Sequence, residues 1–270
     1  MTAEVVYDLV GVGIGPFNLS LAALADTREE IKSLFLERKD SFSWHPELMM
    51  PDVTMQTSFL KDLVTGVDPK SSYTYLNYLL ENQLLYGFLN TGRSNVSRQE
   101  FEAYGKWVST QLGNLEFSAN VENIDFDGEL FHITYNSKTV RSRHICVGTG
   151  PVPRIPDVAI PYLSNNFFHP KCNGLKDLNL KDKRVVVVGG GQTGSEIYLN
   201  SLNDYWGRPK DVKFVSRRSN LFPLDESPFV NEYFTPDYVR QFSELSPETK
   251  AKVVVTIKKS NFIIDRKSVV

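Results

Sequence analysis

The sequence is poor in cysteine and histidine and has no marked excess of either charge. Its two cysteines, Cys146 and Cys172, exclude a disulfide scaffold and fit a reducing compartment. The four histidines (His45, His132, His144, His169) are scattered without the spacing of metal ligands. Against 32 Asp and Glu stand 30 Lys and Arg, a net charge of −2, so there is no cationic surplus to neutralise a nucleic-acid backbone. Local basic clusters, Arg217-Arg218 and Lys258-Lys259, read as solvated surface. No basic segment precedes an apolar run near the N-terminus, and no apolar stretch reaches membrane-spanning length. The expectation is a cytoplasmic protein without a membrane span. A G-x-S-x-G nucleophile turn is missing too, and neither cysteine has a reactive context.

What the sequence does have is two glycine-rich turns. Gly11-Val12-Gly13-Ile14-Gly15-Pro16 follows the apolar run Val5–Val12 and leads into a helical pattern over Pro16–Leu24. Ser33–Glu37 reads as the next strand, so the first fifty residues form a β-α-β unit. In the second half, Arg184–Val188 runs into Gly189-Gly190-Gly191-Gln192-Thr193-Gly194, then a helix over Ser195–Leu202 and a strand over Val212–Ser216. Glycines let the backbone approach a pyrophosphate, and the helix that follows offers unpaired N–H groups and the positive end of its dipole. The first turn is imperfect, because Pro16 stands where the fingerprint has its third glycine, although proline suits a helix's first turn. Glu37 lies where a carboxylate would accept ribose hydroxyls. A tight turn with a surface glutamate would use the same residues, but the β-α-β context favours nucleotide binding.

The second turn matches G-x-G-x-x-G in full. Its next strand ends not in an acid but in Ser216-Arg217-Arg218, and arginine there can pair with a 2′-phosphate, which points to NADPH. Two such turns predict two dinucleotides, with electron transfer between a bound flavin and a nicotinamide donor. The fold expected is α/β with two Rossmann-like domains. Residues 1–160 would bind FAD, with a substrate loop over 41–70, and 161–252 would bind NADPH. Pro151–Pro161, with four prolines, reads as the linker.

Between the two units the patterns predict helices over Tyr73–Leu85 and Arg98–Leu112, alternating strands from Leu115 to Thr139, and a buried strand over Arg143–Gly148. The segment 41–68 reads as irregular, broken by prolines. It is rich in aromatic, amide and charged groups, and from composition alone a surface loop with a few buried anchors is the plainer reading.

Particular blocks carry a resemblance. They are Asp8–Leu19 (DLVGVGIGPFNL), Trp44-His45-Pro46, Met55–Leu63 (MQTSFLKDL), Ser97–Phe101 (SRQEF), the second glycine turn, and Phe229–Phe234 (FVNEYF). In this order they resemble the N-hydroxylating flavin monooxygenases of bacteria and fungi, the lysine N6- and ornithine N5-hydroxylases of hydroxamate siderophore synthesis. The Met55–Leu63 block is specific enough to overturn the plainer reading of its loop. The resemblance implies that NADPH reduces bound FAD, O2 is activated there, and a neutral side-chain amine becomes a hydroxylamine. It implies that Lys61 pairs with the substrate α-carboxylate and that Gln56 and Asn231 line the substrate and flavin site. It also puts Trp44 and His45 beside the flavin, Gln192 and Thr193 near the NADPH pyrophosphate, and Arg217 on its phosphate. L-Lysine is favoured over L-ornithine by the runs Gly189–Glu196, Val215–Arg218 and Asn231–Pro236. Diamines are disfavoured, since they lack a carboxylate for Lys61. Homo-oligomerisation is a further expectation carried by the family.

The resemblance fades after about Lys252, where family members continue at length. The expectation is an FAD domain incomplete at its C-terminus, an atypical, non-helical tail over 253–270, and a polypeptide without turnover. A disulfide reductase is a poor alternative without a C-x-x-C pair. A sulfur- or carbon-oxidising flavin monooxygenase and a non-catalytic nucleotide-binding remnant are the others.

Overall fold

Each apolar β-branched run delivers a strand into its glycine turn, and a separate compact unit is built around each. The computed structural model describes residues 5–51, 53–173, 175–217, 232–233 and 235–259. The first unit spans Met1–Val152 and the second Pro153–Val270, so their border falls inside the proline-rich stretch.

In the first unit, β1 (Val6–Val12), α1 (Pro16–Asp26) and β2 (Ser33–Leu36) form the β-α-β motif. They are followed by β3 (Thr54–Ser58), α2 (Tyr75–Glu81), α3 (Leu85–Asn90), β4 (Asn95–Ser97) and α4 (Arg98–Gln111). β5 (Leu115–Glu116), β6 (Val121–Phe126), β7 (Phe131–Tyr135) and β8 (Lys138–Val147) complete it. The main sheet has the order β5-β2-β1-β8-β7-β6. β1 is parallel to both β2 and β8, with Val10 opposite Leu34 on one side and Ile145 on the other. β6 and β7 extend that sheet as an antiparallel meander from β8.

α4 starts at a capping box, where Ser97 Oγ accepts the Glu100 amide and the Glu100 carboxylate accepts the Ser97 amide. Its apolar stripe, Phe101, Tyr104 and Val108, is buried with α1, α2 and the 41–70 loop in one core. That core is aromatic. Tyr75 meets Tyr104 edge-on at 5.3 Å and Phe88 at 5.8 Å. Gly105 leaves room for Phe42, whose ring atoms would lie 2.4 Å from a Cβ there.

Three expectations are corrected in this unit. Thr54–Ser58 is not irregular but a strand, because Thr54 and Ser58 pair with Ser97 and Asn95 of β4, far along the chain. The helix read over Tyr73–Leu85 is shorter, Tyr75–Glu81, and ends where Gln83 takes a φ of 60° and Leu84 N turns back to Leu79 O; α3 starts only at Leu85. β8 begins at Lys138, five residues before the strand read from Arg143, because pairing with β7 recruits its polar first half.

The second unit opens with a 3-10 turn over Asp157–Tyr162 and the short α5 (Pro170–Asn173). β9 (Arg184–Val188), α6 (Gln192–Leu202) and β10 (Asp211–Val215) form its β-α-β motif, with the two strands parallel and in register. α6 covers one face of this pair through buried Ile197 and the Tyr198–Phe214 ring contact at 5.0 Å. Trp206 donates its indole N–H to Leu175 O at 2.8 Å, closing the loop that precedes β9. α7 (Pro236–Glu244) is capped by Thr235, and α8 (Pro247–Lys259) follows it. α8 runs through residue 253 as far as Lys259. The expected non-helical tail is therefore helical over its first seven residues, and 260–270 lie outside the described residues.

Candidate functional sites

The first glycine turn is held by the strands on either side of β1. Gly13 N donates to Leu36 O and Gly148 N to Val12 O, each at 2.7 Å. Gly13 has a φ of 87°, and a Cβ on it would stand 2.7 Å from Gly148 O, so the position accepts no side chain. Gly11 is equally closed, with Phe35 only 2.1 Å from where its Cβ would be. Gly15 differs. It is the N-cap of α1, and the nearest atom to a Cβ there is Gly148 O at 4.0 Å, so the open side of the turn lies at the helix N-terminus. Pro16 occupies the first helical position, where its missing N–H costs nothing. It is not the counterpart of the third glycine: Gly194 lies three residues past the N-cap Gly191, and the residue three past the N-cap Gly15 is Asn18. The first-turn amides of α1 have no acceptor within the helix.

Glu37, just past the end of β2, reaches back to this turn. Its side chain is buried, with Oε2 accepting Ile14 N at 2.8 Å and Oε1 accepting Lys39 N at 3.1 Å. Each carboxylate oxygen keeps a further lone pair for a hydroxyl. The turn therefore offers backbone donors beside a carboxylate, the donor set that a nucleotide pyrophosphate and ribose require. FAD fits these residues.

The 41–70 loop packs into the same core as Ile14 and Leu19. Trp44 N donates to Glu102 at 3.1 Å, and its ring meets Phe101 at 4.9 Å and His45 at 4.8 Å. His45 has a φ of 51° and starts the short turn over Pro46–Leu48, whose Leu48 O accepts the buried Arg98 guanidinium at 2.7 Å. Gln56 is half-buried in β3. Lys61 is exposed and lines a small pocket with Met55, Phe59, Asp62, Tyr75 and Phe101. Burial raises the hydroxyl pKa of Tyr75, so it stays protonated in this pocket.

Two residues that the sequence reading left unassigned, Asp62 and Ser20, hold this loop in place. Asp62 accepts four hydrogen bonds: Val64 N at 2.9 Å, Thr65 N at 2.7 Å, Thr65 Oγ1 at 2.7 Å and Tyr75 N at 2.7 Å. It thereby fixes the residue next to Lys61 to the start of α2. Ser20 of α1 donates its hydroxyl to Leu63 O, linking the helix of the glycine turn to the Lys61 loop. Only the local half of the Asp62 signal was readable, an Asp whose carboxylate accepts amides two and three residues on; its bond to Tyr75 N, thirteen residues on, was not.

In the second unit, Gly189 has a φ of 129° and Gly191 is the N-cap of α6. Gly194 carries the close contact, because a Cβ there would lie 2.0 Å from Gly189 O. Gln192 and Thr193 open α6, with Gln192 Nε2 donating to Glu196 at 2.7 Å. Arg217 is exposed two residues past the end of β10. A helix N-terminus after β9 and an arginine past the end of the paired strand β10 are groups of the type that a phosphorylated nicotinamide dinucleotide requires. Asn231 lies outside the described residues. Both cysteines are free thiols. Among the described residues, no three metal-ligating side chains come together and no helix is long and apolar enough to cross a membrane.

Two β-α-β motifs, each turning through glycines into a helix N-terminus, define an α/β protein with two Rossmann-like units. The model for the family described as L-lysine 6-monooxygenase/L-ornithine 5-monooxygenase matches residues 5–269, and the chain belongs to that family. It is 43% identical over 249 residues to the L-lysine N6-monooxygenase of Escherichia coli, covering 92% of this chain and 58% of that protein. Among solved structures it is similar to the FAD-bound cadaverine monooxygenase of desferrioxamine biosynthesis from Erwinia amylovora. That likeness has a TM-score of 0.87 and 29% identity, and covers 94% of this chain and 61% of that one. The ornithine N-hydroxylase of Kutzneria sp. 744, solved with reduced FAD, NADP+ and L-ornithine, gives a TM-score of 0.83 at 31% identity, covering 92% and 62%. The chain thus spans about three fifths of the length of these relatives. The family match runs to residue 269, past the Lys252 at which the sequence blocks fade.

Proposed function

We propose that this polypeptide carries the cofactor and substrate sites of an FAD- and NADPH-dependent N-hydroxylase. The reaction converts the side-chain amine of L-lysine to a hydroxylamine with O2, for hydroxamate siderophore biosynthesis, and L-ornithine is the alternative substrate. The observation that carries the reading is the coupling of the first glycine turn to the Lys61 loop. Glu37 closes the turn, and Ser20 on α1, the helix that the turn opens, bonds Leu63, two residues past Lys61. A nucleotide cradle and a cation for a substrate carboxylate are thereby held by one helix.

Bound FAD supplies the activation of O2. The chain's own residues do the rest. Gly13 and Gly15 let the backbone meet the pyrophosphate at the α1 N-terminus, and Glu37 takes a ribose hydroxyl on its remaining lone pairs. Trp44, His45 and Gln56 border the flavin ring. Lys61 holds the substrate α-carboxylate, and Asn231 lines the same site. Phe59 and Tyr75 form an apolar wall that keeps water from the reacting amine. Gln192 and Thr193 meet the NADPH pyrophosphate at the α6 N-terminus, and Arg217 pairs with its 2′-phosphate. The cytoplasmic setting and homo-oligomeric assembly belong to the same proposal.

The test is titration of FAD into the purified chain, followed by the visible flavin spectrum, and then assay of hydroxylamine product with NADPH and L-lysine, L-ornithine or cadaverine. Saturable flavin binding supports the reading, and lysine-dependent product in addition overturns the expectation of a polypeptide without turnover. Product from ornithine alone selects the alternative, and product from cadaverine contradicts the role of Lys61. Folded protein that takes up no flavin contradicts the proposal.

A further inference from the structure

We infer that Asn18 is the positioning residue of the first glycine turn, holding its peptide planes in the geometry that receives the nucleotide; this rests on the flavin reading above. Asn18 lies on α1 just after the turn and is 2% exposed. Its Nδ2 donates to Gly13 O at 2.8 Å and lies within 3.3 Å of Cys146 O and 3.4 Å of Val12 O. Its Oδ1 accepts the Cys146 thiol at 3.1 Å, which fixes the orientation of the amide. β8 comes so close that a Cβ on Gly148 would stand 2.6 Å from Nδ2.

These contacts set one peptide. With its carbonyl held by Asn18, the Gly13–Ile14 unit directs its N–H at the Glu37 carboxylate, 2.8 Å away. Turn, acid and helix N-terminus then form a single frame before any ligand arrives. The rest of the buried stripe of α1 is apolar: Leu19, Ala22, Ala23 and Ala25. An aliphatic side chain would suit that stripe at lower desolvation cost than an amide. The amide at position 18 therefore serves the turn rather than the packing. Asn18 touches the turn and not the ligand.

The experiment compares the wild-type chain with Asn18→Ala and Asn18→Asp by FAD titration, NADPH titration and amide hydrogen exchange. Asn18→Ala is expected to weaken FAD about tenfold or more, equivalent to about 1.4 kcal/mol, and to leave NADPH affinity unchanged. Exchange at the Ile14 and Gly148 amides should accelerate by a similar factor, while the β9–β10 amides keep their protection. Asn18→Asp should be worse, since it turns an acceptor toward three carbonyls. Wild-type FAD affinity in Asn18→Ala overturns the inference. So does a loss of protection spread equally over both units, which marks a merely structural role. A wild-type chain that takes no FAD sinks the flavin reading instead. Exchange then decides the Asn18 role by itself, with unchanged protection at Ile14 counting against it.

Discussion

Replacing Gly194 by alanine separates the two nucleotide sites. The new Cβ would stand 2.0 Å from the Gly189 carbonyl oxygen, whereas carbon–oxygen contacts settle at about 3.3 Å. Since the oxygen belongs to the backbone of the turn, no side-chain rotation relieves the clash, and α6 must retreat by about 1.3 Å. Overpacking of this kind costs about 1–3 kcal/mol. The turn is where the pyrophosphate of NADPH is proposed to lie, so the cost falls on the bound geometry. NADPH dissociation constants should rise by about 5- to 150-fold. FAD affinity should stay within about twofold, because Gly194 lies in the other compact unit. Parallel fluorescence titrations of both nucleotides measure this. Gly113→Ala serves as the control, with nothing within 4 Å of its Cβ. Unchanged NADPH affinity in Gly194→Ala, or a matching loss of FAD, would refute the assignment of the second turn.

Further outcomes are expected. Arg217→Ala should weaken NADPH by about an order of magnitude and leave NADH unchanged, read from paired titrations; equal effects on both would remove the 2′-phosphate role. Asp62→Ala strips four donors of their acceptor and should destabilise the first unit by about 2–3 kcal/mol, seen as a lower denaturation midpoint. Stability should also fall in acid because of His169. Burial, aided by the Lys171 charge, lowers its pKa below the usual 6.5, and its Nδ1 accepts the Lys171 amide. The unfolded chain therefore binds a proton that the folded chain refuses. Stability is complete above the unfolded pKa and declines as pH drops from about 6.5 toward the lower folded value. His169→Gln should flatten that decline in denaturant melts between pH 8 and 5, and an unaltered slope would assign it to other groups.

Both β-α-β motifs were legible in the sequence because local rules write them: a β-branched run, a glycine stop, then a helical period. Glu37 was singled out by its distance from the first turn, and it accepts Ile14 N of that turn; its ribose role rests on the proposal. β3 was not legible, because its partner β4 lies about forty residues away and pairing, not propensity, makes it a strand. The break after Glu81 was hidden likewise, since no glycine or proline marks Gln83, whose φ of 60° ends the helix. Asn18 was half legible. Its spacing from Ala22 and Ala25 puts an amide on a buried stripe, and Gly13 O is close in sequence, but the Cys146 contacts that orient the amide come from β8, more than a hundred residues downstream. The ligand side of the 41–70 loop came from family likeness alone. Its composition fits an ordinary anchored loop, and its contacts to Phe101, Glu102 and Arg98 explain its packing without a flavin.

The most direct test of the account is equilibrium titration of FAD into the purified 270-residue chain and its Gly13→Ala variant. Gly13 has a φ of 87° and leaves 2.7 Å between a Cβ and Gly148 O, so the variant distorts the first turn and little else. The account predicts saturable binding by the wild-type chain, displaced by ADP, and at least tenfold weaker binding by the variant. A folded wild-type chain that binds no FAD, or a variant that binds it equally well, would contradict the claim that this turn is a flavin-nucleotide site.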